Sequence, residues 1–310
     1  MRLFLLPGDK TIHLRNVVIF AFIFIIFLNL TSAPVSFSQA GNKSKINCNC
    51  VIFRLDDIQD YFLNQIQLTL MNLFLEKNQS LSLGLILNHF GNDSSILNAV
   101  HDGFDAGKFE LVSHGWNHEN FALLSKHDQI DLLNKSNEKM QQLFGIPSSI
   151  FMPPEFKFNN ATLDAMRQLG IKIITSDLDF YSDTNQSYLV TNITDSKYTQ
   201  NDNIIHIPNT VGYSGKSKPQ PEWKPLPVEQ LLMLIDKSIS TYGYAVVTLH
   251  PQEFATSQNG ELTNAVNVTK LNDLEKLIGT INDNNLLITS FNKLVNMPSN
   301  SVVLPTNYIV

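Results

Sequence analysis

The 310-residue chain has only two cysteines, Cys48 and Cys50, both within the tetrapeptide NCNC. That excludes the disulfide framework of small secreted domains, and two thiols are too few for a structural zinc site. A bond between them would be strained on an extended backbone. They are read as free, bridged to another chain or weakly metal-binding, with a structural or incidental role. Cationic charge is also short: 22 Lys and Arg face 28 Asp and Glu, a formal charge of −6. Without a basic surplus to displace counterions from phosphates, the balance argues against nucleic acid as a partner. No glycine-rich fingerprint follows the first apolar strand, which argues against a doubly wound nucleotide-binding sheet. There is no internal repeat and no sign of a second domain. A hydrophobic fraction of 43% with 16% charged residues does fit a folded chain rather than a disordered one.

What is present begins with a leader. Arg2, Lys10 and Arg15 precede VVIFAFIFIIFL (Val17 to Leu28), and small and polar residues then run to SFSQA at Ala40. The apolar run is shorter than the roughly 20 residues of a bilayer span. It suits a signal-peptide core, with Ser38 and Ala40 as a small-x-small cleavage pattern. An uncleaved membrane anchor is the competing reading. Residues 1–40 are thus assigned as signal peptide or anchor, 41–49 as linker and 50–310 as the folded domain, placed outside the cell or on its surface. Sequons at Asn42, Asn78, Asn92, Asn134, Asn160, Asn185, Asn192 and Asn267 fit export, although a chain rich in Asn, Ser and Thr makes such triplets by chance.

From residue 50 apolar strands alternate with helical patterns. Strands are expected over 50–57, 81–87, 109–114, 148–154, 172–177, 203–209, 244–250 and 286–291. Helices are expected over 61–78, 93–106, 125–145, 159–170 and 227–243. Ser125 with Asp128, Asn159 or Asn160, and Pro227 start helices; Gly145 and Gly170 stop them. The strands are mostly continuous apolar runs, which implies a parallel sheet buried on both faces. Seven or eight strand–helix units predict an α/β fold, a distorted or incomplete (β/α) barrel. The segments from Asp179 to Asp202 and GKSKPQPEWKPLP (215–227) read as loops over one face.

The polar residues fall at strand ends. Asp56 and Asp57 end the first strand and His114 the third, with His118 a turn further on. Pro153 and Pro154 end the fourth, Asp177 and Asp179 follow the fifth, and His250 ends the seventh. In a parallel barrel these ends open on one face, so the residues converge. Two histidines four apart, in or near a helical turn, project the same way and can share a metal ion. Asp57 would complete three protein ligands and leave positions open for water and substrate, as catalysis requires. The alternative is a capping Asp pair and two surface histidines.

The order LDD, SHGWNH, FMPPEF, DLDF and TLHPQEF, over roughly Val51 to Phe291, resembles the polysaccharide deacetylase family with the NodB-homology domain, a carbohydrate esterase type. The resemblance implies a distorted β/α barrel that removes acetyl groups from N- or O-acetylated glycans. It implies Asp57, His114 and His118 as ligands of zinc or another divalent ion, Asp56 as general base and His250 as the acid that protonates the leaving amine. Asp177 or Asp179 would orient His250. The developing oxyanion would be held at the ion and by a backbone N–H near Pro154 and Glu155. Trp116 and Phe180 are candidate sugar-stacking surfaces, or else barrel core.

Two positions depart from the family pattern. Met152 stands where the family has an arginine that holds the base, and Glu155 where an aromatic is usual. Arg54 lies two residues before Asp56, so both side chains leave one side of the strand. It is a candidate for the missing cation, with Lys157 a second; otherwise it is an interior ion pair. Gln252 and Glu253 shape the site or cap the segment after it. His206 and Asn209 face the right side without a motif. His89 and Asp93 read as structural, and His101 and His127 as solvent-facing. The expected function is an exported metal-dependent glycan deacetylase. The rivals are an inactive glycan-binding protein and an amide or ester hydrolase of a small molecule. Oligomeric state is not legible in the sequence.

Overall fold

Strand β1 (Cys50–Ile58) is the organising element, and its two faces explain why it reads as an unbroken apolar run. Val51, Phe53 and Leu55 point outward into the main core beneath the helices. Cys50 and Ile52 point inward into a second apolar cluster, and Arg54 and Asp56 continue that inner column toward the strand's C-terminal end. The interior is therefore apolar at the floor and charged at the top. The computed structural model describes residues 48–177, 179–181, 187–189, 204–214 and 224–297, with backbone alone for 179–181 and 187–189. All of these fall within one compact unit, Ser44–Val310. The leader 1–40, residues 41–47 of the linker, the sequons at Asn42, Asn185 and Asn192, and most of the 215–227 loop lie outside the described residues.

In chain order the sheet uses β1, β2 (Leu81–Leu85), β3 (Phe109–Ser113), β4 (Ile150–Phe151), β5 (Ile173–Ile174), β8 (Ile205–His206), β9 (Val211–Gly212), β10 (Tyr244–Leu249) and β13 (Leu287–Thr289). The spatial order is β8-β5-β4-β3-β2-β1-β10-β9, every pairing parallel, with β13 beside the N-terminal half of β1. The segment 205–213 joins the two ends. Ile205, Ile207 and Asn209 donate backbone hydrogen bonds to Lys172, Ile174 and Ser176, whereas Thr210 and Tyr213 donate to Val246 and Thr248 of β10. One strand kinked near Pro208 thus closes a distorted β/α barrel.

Among the described residues the α-helices are α1 (Asn64–Glu76), α2 (Ser94–Asp105), α3 (Lys126–Phe144), α4 (Asn160–Leu169), α5 (Val228–Tyr242), α6 (Val268–Asp283) and α7 (Phe291–Val295). Ser125 caps α3, which ends at Gly145 with φ +75°; Asn159 makes a capping box for α4, which ends at Gly170 with φ +71°. Among the described residues no helix is long and apolar enough to cross a membrane.

The differences from the expected elements have local causes. The fourth, fifth and sixth strands shrink to two residues each, and Pro153, Pro154 and Pro208 offer no N–H to extend the fourth and sixth. Helix α6, with Leu274, Leu277, Ile278 and Ile281 on its buried face, is an addition to the expected set. So are the antiparallel pairs β6 (Asp179–Tyr181) with β7 (Ser187–Leu189), and β11 (Ala255–Gln258) with β12 (Glu261–Val266). Asp179 to Asp202 is therefore not loop throughout. Cys48 and Cys50 form a disulfide, contrary to the readings above, because Asn49 between them takes φ +47° and the backbone is not extended there.

Candidate metal centre and active site

The register of the barrel assembles the site. β1 and β10 pair through Leu55 and Leu249, so the next residues, Asp56 and His250, stand side by side where the strands end. His250 Nε2 lies 3.8 Å from Asp56 Oδ2. Asp57 follows with φ +64°, a left-handed turn that throws its carboxylate sideways toward the end of β3. There its Oδ1 lies 3.3 Å from Nε2 of His114 and 3.3 Å from Nε2 of His118.

The two histidines are not on a helix. The segment 114–118 is a bent loop in which Gly115 (φ +80°) and His118 (φ +64°) are both left-handed. Glu119 clamps it, accepting from the Trp116 backbone N–H at 3.2 Å and the Asn117 side chain at 3.1 Å. The imidazoles meet edge to face with centroids 5.0 Å apart.

The donor set fits a metal ion on an observation within the chain. His114 Nδ1 lies 2.7 Å from the Met152 carbonyl, an acceptor only, so that nitrogen carries the proton. In the neutral ring Nε2 then presents a lone pair toward Asp57 Oδ1, acceptor facing acceptor, unless a cation lies between them. The ligand atoms of Asp57, His114 and His118 all lie within 4.8 Å of one another. With the imidazoles protonated instead, burial still pushes the Asp57 carboxyl upward, but hydrogen bonds from His114 and His118 and the charges of His114 and His250 outweigh it and hold it well below the usual range. The hydrogen bond to Asp57 raises His118 against the opposing effect of burial, helped by the charges of Asp57, Glu155 and Asp56.

Asp56 is held from below. Arg54, fully buried, grips it with both prongs, Nε to Oδ1 at 2.8 Å and Nη2 to Oδ2 at 2.5 Å. The remaining Nη1 donates to Thr175 at its carbonyl (3.1 Å) and hydroxyl (3.0 Å), and the guanidinium sits 5.2 Å from the Phe156 ring centroid. Burial pushes Asp56 upward, but the Arg54 charge and hydrogen bonds, with His114 and His250, hold it below the ordinary carboxylate value. Burial likewise depresses His250 below the usual imidazole value, although Asp56 and Asp57 pull the other way. Lys157 is exposed at the surface and is not the cation that holds Asp56.

These groups open on a cavity of about 380 Å³ lined by Asp56, Asp57, His114, His118, Pro153, Glu155, Phe156, His250 and Gln252. Glu155 (φ +52°) and Phe156 (φ +59°) are a left-handed pair that turns the chain at the cavity wall. Trp116 and Asp177 are not among the lining residues. Trp116 packs against the main core with Lys139 5.9 Å from its ring centroid, and Asp177 bridges to Asn209. The side chains of Asp179 and Phe180 lie outside the described residues. His206 is buried, bonded to Ser176 at 3.0 Å and depressed by burial to about 4, hence a neutral core histidine. Asp93 caps α2, His89 meets Tyr61 edge to face, and His127 is exposed and pairs with Asp131. His101 is half-buried against Phe144 rather than solvent-facing.

Gly84, Phe156 and Thr175 are contributors that reading the sequence passed over. A glycine inside a strand marks a close approach. A Cβ on Gly84 would lie 2.7 Å from Met152 Sδ and 3.5 Å from His114 Cβ. Gly84→Ala is expected to destabilise the fold by about 1–3 kcal/mol through overpacking and to weaken metal binding, because Met152 carries the carbonyl that anchors His114. Denaturant titration of the variant beside the wild type checks the first effect; unchanged stability would mean that Met152 yields freely.

Comparison with known proteins adds a sequence match to this geometry. Residues 83–174 match the polysaccharide deacetylase family. That stretch carries His114, His118 and the Pro153–Pro154 pair; Asp56, Asp57 and His250 lie outside it. No curated protein sequence matches the chain. Among solved structures, a protein of Mycobacterium smegmatis assigned as a polysaccharide deacetylase superposes with a TM-score of 0.56 at 12% identity, over 90% of this chain and 98% of that one. A CE4 family pseudoenzyme from Bacillus anthracis gives 0.51 at 14% identity, over 81% of this chain and 66% of that one, so this chain spans about two thirds of its length. A mutant of the Bacillus anthracis protein with restored enzymatic activity gives 0.50 at 15% identity. At these identities the likeness shows the fold, the distorted barrel of polysaccharide deacetylases.

Proposed function

We propose that this chain is an exported, zinc-dependent deacetylase acting on an N-acetylated glycan. The observation that carries the reading is a buried, arginine-held carboxylate, Asp56, set between His250 and the Asp57–His114–His118 group at one cavity. Export rests on the leader read from the sequence, and zinc on a donor set of two imidazoles and one carboxylate.

Asp57, His114 and His118 would hold the ion, which when bound supplies Lewis acidity toward water and an acyl carbonyl. Asp56, kept ionised and oriented by Arg54, accepts the proton of the attacking water. His250, on the far side of Asp56, delivers a proton to the amine nitrogen as the C–N bond breaks, giving the free amine and acetate. Pro154 has no N–H and that of Phe156 is used within its own turn, which leaves the Glu155 N–H for the developing oxyanion. Activity is expected to fall on the acid side, as pH drops through the depressed Asp56 value and protonates the base. It is also expected to fall on the alkaline side as pH rises through the depressed His250 value, which removes the acid's proton.

The second reading is a glycan-binding protein without turnover. It is favoured by Met152 in the arginine's place and by the pseudoenzyme neighbour. The test is acetate release from a panel of acetylated oligosaccharides and small acetamides, with Asp56→Asn as the control. Release from oligosaccharides, lost in Asp56→Asn, supports the deacetylase. Binding of the same oligosaccharides with no release supports the second reading, and release from small acetamides alone makes the chain a small-molecule hydrolase.

A further inference from the structure

Gln252 lies in the turn that follows β10, between His250 and the glutamate that fixes the turn. Glu253 Oε2 accepts from the His250 backbone N–H at 2.8 Å, and the Glu253 N–H returns a bond to the His250 carbonyl at 3.1 Å. Phe254, fully buried and stacked on Tyr213 with centroids 5.2 Å apart, pins the other end. So held, Gln252 reaches back to β1, and its Nε2 donates to Asp57 Oδ2 at 3.1 Å. The amide cannot be turned the other way, since that would set two oxygens against each other. The two oxygens of Asp57 therefore have different partners: Oδ2 is taken by Gln252, and Oδ1 faces both imidazole nitrogens.

We propose that Gln252 is a positioning residue that holds Asp57 as a one-oxygen ligand and thereby sets the affinity and coordination of the metal site. The proposal rests on the reading of Asp57, His114 and His118 as metal ligands. A carboxylate can turn about its last bond and offer both oxygens, as it does to large oxygen-seeking cations. A donor fixed on Oδ2 opposes that turn and favours a small four-coordinate ion bound through nitrogen and one oxygen. Met152 does the same for His114 through its carbonyl, so two of the three ligands are oriented by groups outside the ligand set.

The test compares the full wild-type chain with Gln252→Met, which has similar length and no donor. Gln252→Ser, too short to reach Asp57, serves if the first variant does not fold. Zinc affinity is read by competition with a chromophoric chelator, and coordination by the visible spectrum after cobalt(II) loading; neither needs turnover. The expected result is a loss of roughly 10–100-fold in zinc affinity, the usual effect of removing an outer partner, with a weaker, shifted cobalt band as Asp57 brings in its second oxygen. Equal affinities and superimposable spectra would overturn the role of Gln252 while leaving the metal site intact. A wild-type chain that binds no zinc would overturn both.

Discussion

Replacing Arg54 with methionine is expected to lower acetate release roughly hundredfold at neutral pH, the low end of what a positioned general base contributes. The reason lies in how Asp56 is held. Asp56 is 2% exposed, and burial alone drives its carboxyl toward the protonated form. The two-pronged grip of Arg54 reverses that drive, with His114 and His250 adding smaller contributions. Without the guanidinium, burial prevails, the base carries a proton, and the acid limb of the pH profile moves upward. Stability should change with it. A carboxyl depressed in the folded state stabilises the fold above its unfolded value and loses that contribution as pH falls through the folded value. Breaking a buried ion pair from one side forces the remaining carboxylate either to stay charged without its partner or to take up a proton, and costs about 3–5 kcal/mol. Chemical denaturation at pH 7 and rate profiles across pH check both effects. A variant with wild-type rate and profile would make Arg54 an interior pair with no bearing on the chemistry.

Loss of His114 should be larger still. Its Nε2 faces Asp57, its Nδ1 is committed to the Met152 carbonyl, and it is almost fully buried, so its ring is held in place as a ligand. His114→Ala is expected to weaken metal binding by more than the roughly 10–100-fold that an outer partner costs, and to bring acetate release to background. Chelation of the wild-type protein should do the same, with recovery when a divalent ion is returned; recovery should fail in the variant. Chelator-resistant release would mean that hydrolysis needs no metal.

Much of this arrangement is legible in the chain because strand ends are legible. Apolar runs followed by Asp56–Asp57, His114 and His250 give three parallel strands whose ends must share one face, and that alone gathers the polar residues. Arg54 and Asp56 lie on one side of β1 because side chains alternate with a period of two. The capped ends of α3 and α4 follow equally directly from Ser125, Gly145, Asn159 and Gly170. What the chain conceals is set by tertiary approach. The left-handed backbone at Asp57 and His118 is invisible in a four-residue spacing, which by itself suggests a helical turn. The hold of Gln252 on Asp57 depends on where the turn after β10 lands. The closure of the barrel by 205–213 depends on a kink that divides one strand's hydrogen bonds between two neighbours. The Cys48–Cys50 bond likewise needs the positive φ of Asn49, which residue types alone do not dictate.

On the proposed function, the Asp57–His114–His118 site and the Arg54-held Asp56 together perform hydrolysis. The most direct test is to strip the purified protein of metal, return zinc in increments, and follow bound zinc and acetate release from an N-acetylated oligosaccharide in the same samples. One ion per chain is expected, with the rate of release rising in proportion to occupancy. Full occupancy with no release from any acetylated glycan would contradict it and leave a metal-holding barrel without turnover.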